Sequence, residues 1–231
     1  MITFTYIPDP LIRCSYEAVY YPSDDSYLII DHFRNNIDDN YFDGIQLENI
    51  EKILDLGTGT GIIAIFLQMI KSQNHKFNPQ IFASDILEES IECAKNNEQL
   101  NNKNGQIQFL QSDLFKSFPE NLKSTFNIII FNPPYLPSSE ISNDKKVKKK
   151  KDLGWDGGLL GFELIIRFLH DAKSFLNLEK EHYVYFISSS RTPLDALKKE
   201  IRDLGYYYEV LVKNHFFFED IILNRLYYTK I

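Results

Sequence analysis

From residue 50 onward, short runs of β-forming residues alternate with stretches of helical character. The pattern predicts strands over 52–56, 80–84, 106–111, 126–131 and 182–187, and helices over 62–71, 88–100, 161–176 and 193–204. Strands that alternate with helices in this way build a parallel sheet with crossover helices. The chain is therefore expected to fold around a parallel sheet.

The end of the chain departs from this alternation. The last two predicted strands, 206–213 and 221–229, have no helix between them, so an antiparallel pair is expected. The predicted fold class is α/β, with a Rossmann-like seven-stranded sheet that is mostly parallel, an antiparallel last strand and helices on both faces.

Length and composition narrow the class of protein. The 231 residues suffice for one α/β domain with a full core, so a single domain over 1–231 is expected. No apolar run approaches the roughly 18 residues of a membrane helix, and the N-terminus lacks a secretory signal, which favours a cytoplasmic protein without membrane contact. Cys14 and Cys93 form no CxxC pair, so no metal site is predicted.

A glycine-rich turn follows the first predicted strand. Gly57, Gly59 and Gly61 permit a tight turn and let a ligand approach the backbone. A dinucleotide fingerprint would place its third glycine at position 62, which is Ile62 here. The GxGxG spacing, with Thr58 inside it, therefore favours S-adenosylmethionine as the cofactor.

Acidic residues stand at the ends of three successive predicted strands. Ligands bind at the carboxyl ends of parallel strands, so these side chains are expected to meet at one site. Asp55 is predicted to pair with the ammonium of S-adenosylmethionine, and Asp85 is predicted to accept both ribose hydroxyls, with Ile86 beside it. Asp113 is predicted to accept the adenine amino group, with Leu114 packed on the ring.

The sequence Asn132-Pro133-Pro134-Tyr135 directly follows the apolar strand predicted over 126–131. Neither proline has an N–H, so a stiff loop with outward carbonyls is predicted. The Asn132 side-chain carbonyl, also expected to border the cofactor, and the Pro133 carbonyl can each accept one N–H of a planar amide or exocyclic amine. The Tyr135 ring can stack on that group. These residues predict methyl transfer to a planar nitrogen by in-line displacement, without a metal and mainly by positioning.

With these motifs, the chain resembles the HemK-type class I methyltransferases. The most similar branch is the archaeal and eukaryotic one, which methylates the glutamine of the Gly-Gly-Gln motif in class 1 release factors. The resemblance rests on segments 19–26, 54–61, 83–85, 112–114, 132–135, 155–158 and 216–220. In the first of these, Tyr21 and Asp24 replace glutamates of the branch signature. The resemblance implies that S-adenosylmethionine is the cofactor, that a release factor is the substrate, and that Ser26 contacts the methionine end of the cofactor.

Two further segments are expected to contribute to the site. Residues 1–50 are too few for the separate N-terminal domain of bacterial relatives; they are expected to form an extension that contributes to the cofactor and substrate pocket, with a helix over 26–34 that Ser23 or Asp24 caps. Residues 137–156 are expected to form a mobile substrate loop. The branch also implies a small zinc-binding activator protein, which would cover an apolar edge strand at 107–110.

Three hypotheses stay open at this point. Protein-glutamine methylation is favoured by the short N-terminal extension and the net charge of −7. Methylation of an exocyclic amino group, such as N6 of adenine, in RNA or DNA would use the same Asn-Pro-Pro-Tyr loop. A run of six lysines favours it: Lys145, Lys146, Lys148, Lys149, Lys150 and Lys151. A non-catalytic cofactor-binding subunit is disfavoured by the intact Asn132.

Overall fold

The computed structural model describes residues 6–103, 105–138 and 157–228. The strands are β1 (Tyr41–Phe42), β2 (Ile45–Gln46), β3 (Lys52–Leu56), β4 (Gln80–Asp85), β5 (Ile107–Gln111), β6 (Ile128–Phe131), β7 (Tyr183–Ser189), β8 (Tyr206–Phe216) and β9 (Glu219–Tyr228). The helices are α1 (Asp24–Asn35), α2 (Ile62–Gln73), α3 (Glu88–Leu100), α4 (Glu163–Ala172) and α5 (Leu194–Asp203), with 3-10 turns at Leu47–Asn49 and Glu120–Leu122.

A seven-stranded sheet organises the chain, with the order β5-β4-β3-β6-β7-β9-β8. The strands β3 to β7 are parallel, β9 is antiparallel to β7, and β8 is antiparallel to β9. The chain places β4 on one side of β3 and β6 on the other, and this reversal creates the switch point where open α/β sheets bind ligands. The predicted fold class is confirmed.

Helices cover both faces of the sheet. Every residue of β6 is buried, as expected for a strand packed on two sides. One core cluster joins α1 and α2 to the sheet, and a second joins α4 and α5 to its other face. Within the described ranges, no helix combines the length and apolarity needed to span a bilayer.

The terminal strands are longer than predicted. β8 continues to Phe216 and β9 begins at Glu219, so a two-residue turn replaces the expected loop over 214–220. Lys213 and His215 both contact the Asp220 carboxylate across the ladder, at 2.8 Å each. These cross-strand pairs extend the hairpin beyond the predicted strand ends.

Several predicted boundaries and one predicted cap differ from the structure. α4 is shorter than the predicted 161–176 at both ends, and Gly161, with φ 83°, lies outside the helix. β6 begins after Phe126, which forms only an isolated bridge to Leu176. Ser23 occupies the N-cap position of α1, yet its side chain makes no capping hydrogen bond.

The hairpin formed by β1 and β2 is absent from the prediction, because each strand has only two residues. Asp43 and Gly44 form its turn with positive φ values of 46° and 92°, a conformation that Asp-Gly hairpin turns favour. The Asp43 carboxylate accepts a hydrogen bond from Tyr185 at 2.6 Å and lies 3.1 Å from Arg225 and from His32. This buried cluster fastens the N-terminal extension to β7 and β9.

Glu98 is a buried carboxylate near the end of α3, 3 % exposed. Its Oε1 accepts hydrogen bonds from the backbone N–H groups of Gln106 and Ile107, both at 2.9 Å, and from the Gln68 amide at 3.1 Å. Its Oε2 accepts from the Gly105 N–H at 3.3 Å. One side chain therefore joins α2, α3 and the start of β5.

Replacing Glu98 by alanine should lower the free energy of unfolding by about 1–3 kcal/mol, because buried N–H groups would lose their acceptor. Urea unfolding followed by circular dichroism measures this difference. Gln99→Ala, at an exposed position of the same helix, is the control and should cost less than about 0.5 kcal/mol. Equal losses in both variants would contradict the bracing by Glu98.

Candidate active site

A cavity of about 430 Å³ opens at the carboxyl ends of β3, β4, β5 and β6. The volume lies in the roughly 300–1,000 Å³ range of small-molecule sites. Among the residues predicted from the sequence, the lining contains Ser26, Gly57, Thr58, Gly59, Asp85, Ile86, Asp113, Leu114, Asn132, Pro133, Pro134 and Tyr135. Asp55 and Gly61 do not line it. The fold therefore gathers loops from four strands and the start of α1 around one space.

The three positions of the turn require glycine for different structural reasons. All three have positive φ: 65° at Gly57, 56° at Gly59 and 83° at Gly61. A Cβ on Gly57 would lie 2.9 Å from the Phe131 ring, and a Cβ on Gly61 would lie 2.9 Å from the Ala94 Cβ. Gly61 thus allows α2 to pack on α3, while Gly57 and Gly59 present backbone to the cavity.

Asp55 lies behind the turn and braces it. Its Oδ2 accepts a hydrogen bond from the Thr58 hydroxyl at 2.6 Å and another from the Ala64 N–H at 3.2 Å. Burial raises the pKa of Asp55 to about 7, and the nearby Asp85 charge acts in the same direction. Since Asp55 is 1 % exposed and off the cavity wall, the predicted contact with an ammonium gains no support from its position.

Asp85 borders the cavity and also fixes the turn. Its Oδ2 accepts from the Gly59 N–H at 3.0 Å, and its Oδ1 accepts from the Leu87 N–H at 2.9 Å. Burial raises the pKa of Asp85, while these backbone hydrogen bonds oppose the shift. Each carboxylate oxygen has more than one lone pair, so Asp85 can accept further donors from a ligand.

Asp113 lies at the third strand end, where two cations contact it. The Lys116 ammonium is 2.5 Å from Oδ2, and Arg167, which also lines the cavity, is 3.3 Å from Oδ1. The hydrogen bond from Lys116 lowers the pKa of Asp113, so the carboxylate stays charged at neutral pH. Leu114 follows with φ 49° and is buried against the cavity.

Asn132 has one satisfied and one unsatisfied side-chain atom. Its Nδ2 donates to the Ser26 hydroxyl oxygen at 3.3 Å. Its Oδ1 is buried and has no hydrogen-bond partner among the described residues. A buried carbonyl oxygen without a donor costs about 1–3 kcal/mol, which a ligand N–H can recover. The side chain is therefore prepared to accept a hydrogen bond.

Contacts hold both the side chain and the backbone carbonyl of Tyr135. Its hydroxyl donates to Asp25 Oδ2 at 3.2 Å, and burial together with the Asp25 charge raises the pKa of Tyr135. A Cβ on Gly161 would lie 2.7 Å from the Tyr135 carbonyl oxygen, and a Cβ on Gly157 would lie 2.9 Å from the Pro134 carbonyl oxygen. The segment from Gly157 to Gly161 therefore packs directly on the Asn-Pro-Pro-Tyr loop.

The cavity lining includes residues that the sequence prediction missed, among them Tyr20, Asp25 and Arg167. Tyr20 and Asp25 lie in the segment 19–26 that supports the family resemblance, but that pattern does not indicate which of its side chains point inward. Arg167 lies four residues into α4, and no sequence signal connects it to Asp113. The expected loop over 137–156, which contains the lysines at 145–151, lies almost wholly outside the described residues, which resume at 157.

The free energy of unfolding should reveal the raised pKa of Asp55. An acid with a folded-state pKa near 7 and an unfolded-state pKa of 3.8 binds protons more tightly when folded, so its contribution to stability falls as pH rises from about 4 to about 7. Asp55→Asn should therefore gain stability relative to the unmodified chain over this range, by on the order of a few kcal/mol. Urea unfolding at pH 5 and pH 8 measures the change.

The control for this experiment is Asp203→Asn, which removes one carboxylate from an exposed position at the end of α5. Its difference from the unmodified chain should stay nearly constant between the two pH values. A pH-independent difference for Asp55→Asn as well would show that Asp55 is charged in the folded state.

Comparisons with known proteins identify the family to which the chain belongs. The family model of the methyltransferase small domain matches residues 28–151 of this chain. A Methanocaldococcus jannaschii protein, provisionally named a protein N5-glutamine methyltransferase, is 32 % identical over 205 residues, which cover 89 % of each chain. The release factor glutamine methyltransferase of Leptospira interrogans is 37 % identical over 129 residues, covering 55 % of this chain and 39 % of the relative. The chain thus spans less than half of that bacterial relative.

A solved structure extends the comparison to the fold. The E. cuniculi Mtq2-Trm112 complex, described as responsible for methylation of the translation termination factor eRF1, has a chain that superposes with a TM-score of 0.60. The match covers 92 % of this chain and 99 % of that chain at 19 % identity, which shows a common fold. The domain match over more than half of the sequence and the archaeal relative together show that this protein belongs to the methyltransferase small domain family, as a HemK-type methyltransferase.

Proposed function

We propose that this methyltransferase modifies the side-chain amide nitrogen of the glutamine in a Gly-Gly-Gln motif of a peptide-chain release factor. The observation that carries the proposal is Asn132 Oδ1, a buried acceptor without a donor, in a loop whose two prolines offer no N–H. The names of the archaeal and bacterial relatives, and the eRF1 methylation ascribed to the Mtq2-Trm112 complex, support this substrate class.

We propose that the cavity binds S-adenosylmethionine. The nearest atom to a Cβ built on Gly59, the Tyr20 carbonyl oxygen, is 3.6 Å away, so the backbone of the turn stays open to a ligand. In the proposed arrangement, Asp85 and Ile86 hold the ribose, while Asp113 and Leu114 hold the adenine. Bound S-adenosylmethionine would supply an electrophilic methyl group on a sulfonium and leave as a neutral thioether.

Two further elements, the glycine turn and the start of α1, line the part of the pocket proposed for the amino-acid end of the cofactor. Gly57, Thr58 and Gly59 would face the amino-acid end of the cofactor. Ser26 enters the same space from α1 and is also proposed to face that end. For Asp55 we propose a supporting position behind the turn, because its carboxylate already accepts hydrogen bonds from Thr58 and Ala64.

The Asn-Pro-Pro-Tyr loop would orient the substrate amide. Asn132 Oδ1 and the Pro133 carbonyl each accept one N–H, which directs the nitrogen lone pair toward the methyl group, and the Tyr135 ring stacks on the amide plane. As the nitrogen gains the methyl group it loses one proton, which passes to solvent. The chain supplies alignment, which alone can account for several kcal/mol of barrier reduction, on the order of 7–11 at best.

Amino-group methylation of RNA or DNA is the second candidate. An exocyclic amine presents the same two N–H groups to the loop, and the lysines at 145–151 provide local positive charge in an acidic chain. Asn132 also argues against a non-catalytic subunit, since a subunit that only binds cofactor has no use for a substrate acceptor.

We further propose that a small partner protein pairs with β5, an edge strand of the sheet. β5 has no charged residue, and Phe109 and Leu110 are only half-buried. The other edge, β8, is protected by charged residues such as Glu209 and Lys213 and by a bulge between Val210 and Val212. The Mtq2-Trm112 complex supports such a partner, and the family resemblance supports zinc binding by it. Because the proposed substrate acts at the ribosome, the cytoplasm is the proposed compartment.

Transfer of a labelled methyl group tests the substrate class. The chain should be supplied with S-adenosylmethionine and either a Gly-Gly-Gln release factor, adenine-containing RNA or adenine-containing DNA, each with and without a small zinc-binding candidate partner. Label should enter the release factor and should be absent when its glutamine is replaced by alanine. Label in RNA or DNA alone would favour the second candidate.

Asn132→Ala tests the amide-binding loop. Turnover should fall by about 10²–10³-fold, as for the loss of one preorganised hydrogen-bond partner in an active site. The dissociation constant for S-adenosylhomocysteine, measured by calorimetry, should change little. Asn96→Ala, at an exposed position of α3, is the matched control. Normal turnover by Asn132→Ala would exclude this loop as the substrate clamp.

A further inference from the structure

We propose that Asp25 is a positioning residue whose buried carboxylate sets the orientation of the Asn132 amide through the Ser26 hydroxyl. This proposal rests on the proposed function, because it assigns the source of the acceptor that the substrate amide would meet. Asp25 is the second residue of α1, is 3 % exposed and borders the cavity. It acts through its neighbours and is not itself in the reaction.

Four hydrogen bonds converge on the Asp25 carboxylate. Its Oδ1 accepts from the Ser26 N–H at 2.6 Å and from the Ser26 hydroxyl at 3.1 Å. Its Oδ2 accepts from the Tyr20 hydroxyl at 3.0 Å and from the Tyr135 hydroxyl at 3.2 Å. A buried carboxylate is retained only when donors surround it in this way. The group is therefore an anchor for α1 and for the Asn-Pro-Pro-Tyr loop.

The negative charge decides which way the Ser26 hydroxyl points. A carboxylate can only accept, so the Ser26 hydrogen is directed to Asp25 Oδ1. The Ser26 oxygen is then an acceptor on its other side, where Asn132 Nδ2 lies at 3.3 Å. This arrangement requires the Asn132 amide to present its NH2 group to Ser26, which leaves Oδ1 as its free acceptor.

Reversal of this order would defeat the proposed chemistry. If the Ser26 hydroxyl donated toward Asn132, the amide would turn its oxygen to Ser26 and its NH2 group to the substrate. Two NH2 groups would then face each other without an acceptor between them. The volume and packing of the site would hardly change, so the fault would affect turnover far more than folding.

The Tyr135 hydrogen bond gives the same carboxylate a second function. Tyr135 closes the loop that begins at Asn132, and its hydroxyl lies 3.2 Å from Asp25 Oδ2. The Asp25 carboxylate on α1 thus holds both ends of the loop, Tyr135 directly and Asn132 through Ser26. Because no other single side chain in the described part of the chain contacts both Ser26 and Tyr135 in this way, Asp25 is the residue to substitute.

Asp25→Asn is the test, because it keeps size and removes the charge. Its NH2 group can donate to the Ser26 oxygen and release the hydroxyl to point at Asn132. With the full chain and a Gly-Gly-Gln release factor, plus the partner if needed, kcat should fall by about 10–100-fold. The dissociation constant for S-adenosylhomocysteine should stay near that of the unmodified chain. Asp24→Asn, the same change at the exposed neighbouring residue, is the control and should retain its kcat.

A double substitution separates positioning from a general loss of structure. Because Asp25 acts mainly through Asn132, the loss of kcat caused by Asp25→Asn should be much smaller in a chain that already carries Asn132→Ala, where only the part that acts through Tyr135 remains. Ser26→Ala should resemble Asp25→Asn, and Ser26→Thr, which keeps the hydroxyl, should recover most of the activity. Additive losses in the double variant would overturn the proposal.

A nuclear magnetic resonance measurement reads the amide orientation without any substrate. In the unmodified chain the Asn132 NH2 group donates one hydrogen bond to Ser26, and this proton should exchange slowly with water. In Asp25→Asn it should exchange faster, and its resonance should shift. Unchanged exchange would overturn the proposal even if no substrate had been found. A chain that methylates no release factor but shows this change would refute the proposed function and leave the positioning by Asp25 supported.

Discussion

The parallel, in-register pairing of the central strands is the constraint on which the site depends. Leu56 at the end of β3 pairs with Ser84 on one side and with Phe131 on the other. The glycine turn, the Asp85 loop and the Asn132 loop therefore leave the sheet at the same level and on the same edge. None of these segments could form a cavity alone. The pairing of the strands brings them together, and their hydrogen bonds to one another adjust only the details of their positions.

The N-terminal extension completes the site from outside the sheet. It is held at one end by the buried cluster of Asp43, His32, Tyr185 and Arg225, and at the other end by Asp25. Between these two anchors, α1 packs its apolar face on α2. The helix is thus as much a part of the cavity as the loops that follow the strands, although it contributes nothing to the ladder.

Long regular elements and the order of the two main motifs could be predicted from the sequence, because periodicity and glycine spacing are local properties. The β1–β2 hairpin could not be found by periodicity, although Asp43-Gly44 is a turn signal that a search for hairpins would notice. The position of Asp55 behind the turn, instead of on the cavity wall, depends on the direction in which a strand-end side chain points. Spacing alone does not determine that direction.

The contacts of Asp25 with Ser26 and Tyr135, and of Arg167 with Asp113, were beyond sequence reasoning for a different reason. The Tyr135 and Arg167 contacts join residues more than 50 positions apart, and no periodic pattern connects such pairs. In contrast, the fold class and the family follow from short segments that each carry their own signal. The site is therefore easier to locate from the sequence than to describe atom by atom.

The edge strand β5 runs straight into the cavity, since Gln111 is followed by Ser112, whose N–H donates to the Asp85 carbonyl at 2.8 Å. Whatever adds a strand to this edge would restrain the same backbone that a ligand meets at Asp113 and Leu114. Linked equilibria are reciprocal, so if association at the edge changes the affinity of the cavity for its ligand, the ligand changes association at the edge by an equal factor. Occupancy of the β5 edge would then depend on the concentration of the ligand that binds in the cavity, and occupancy of the cavity on the concentration of the protein that binds at the edge.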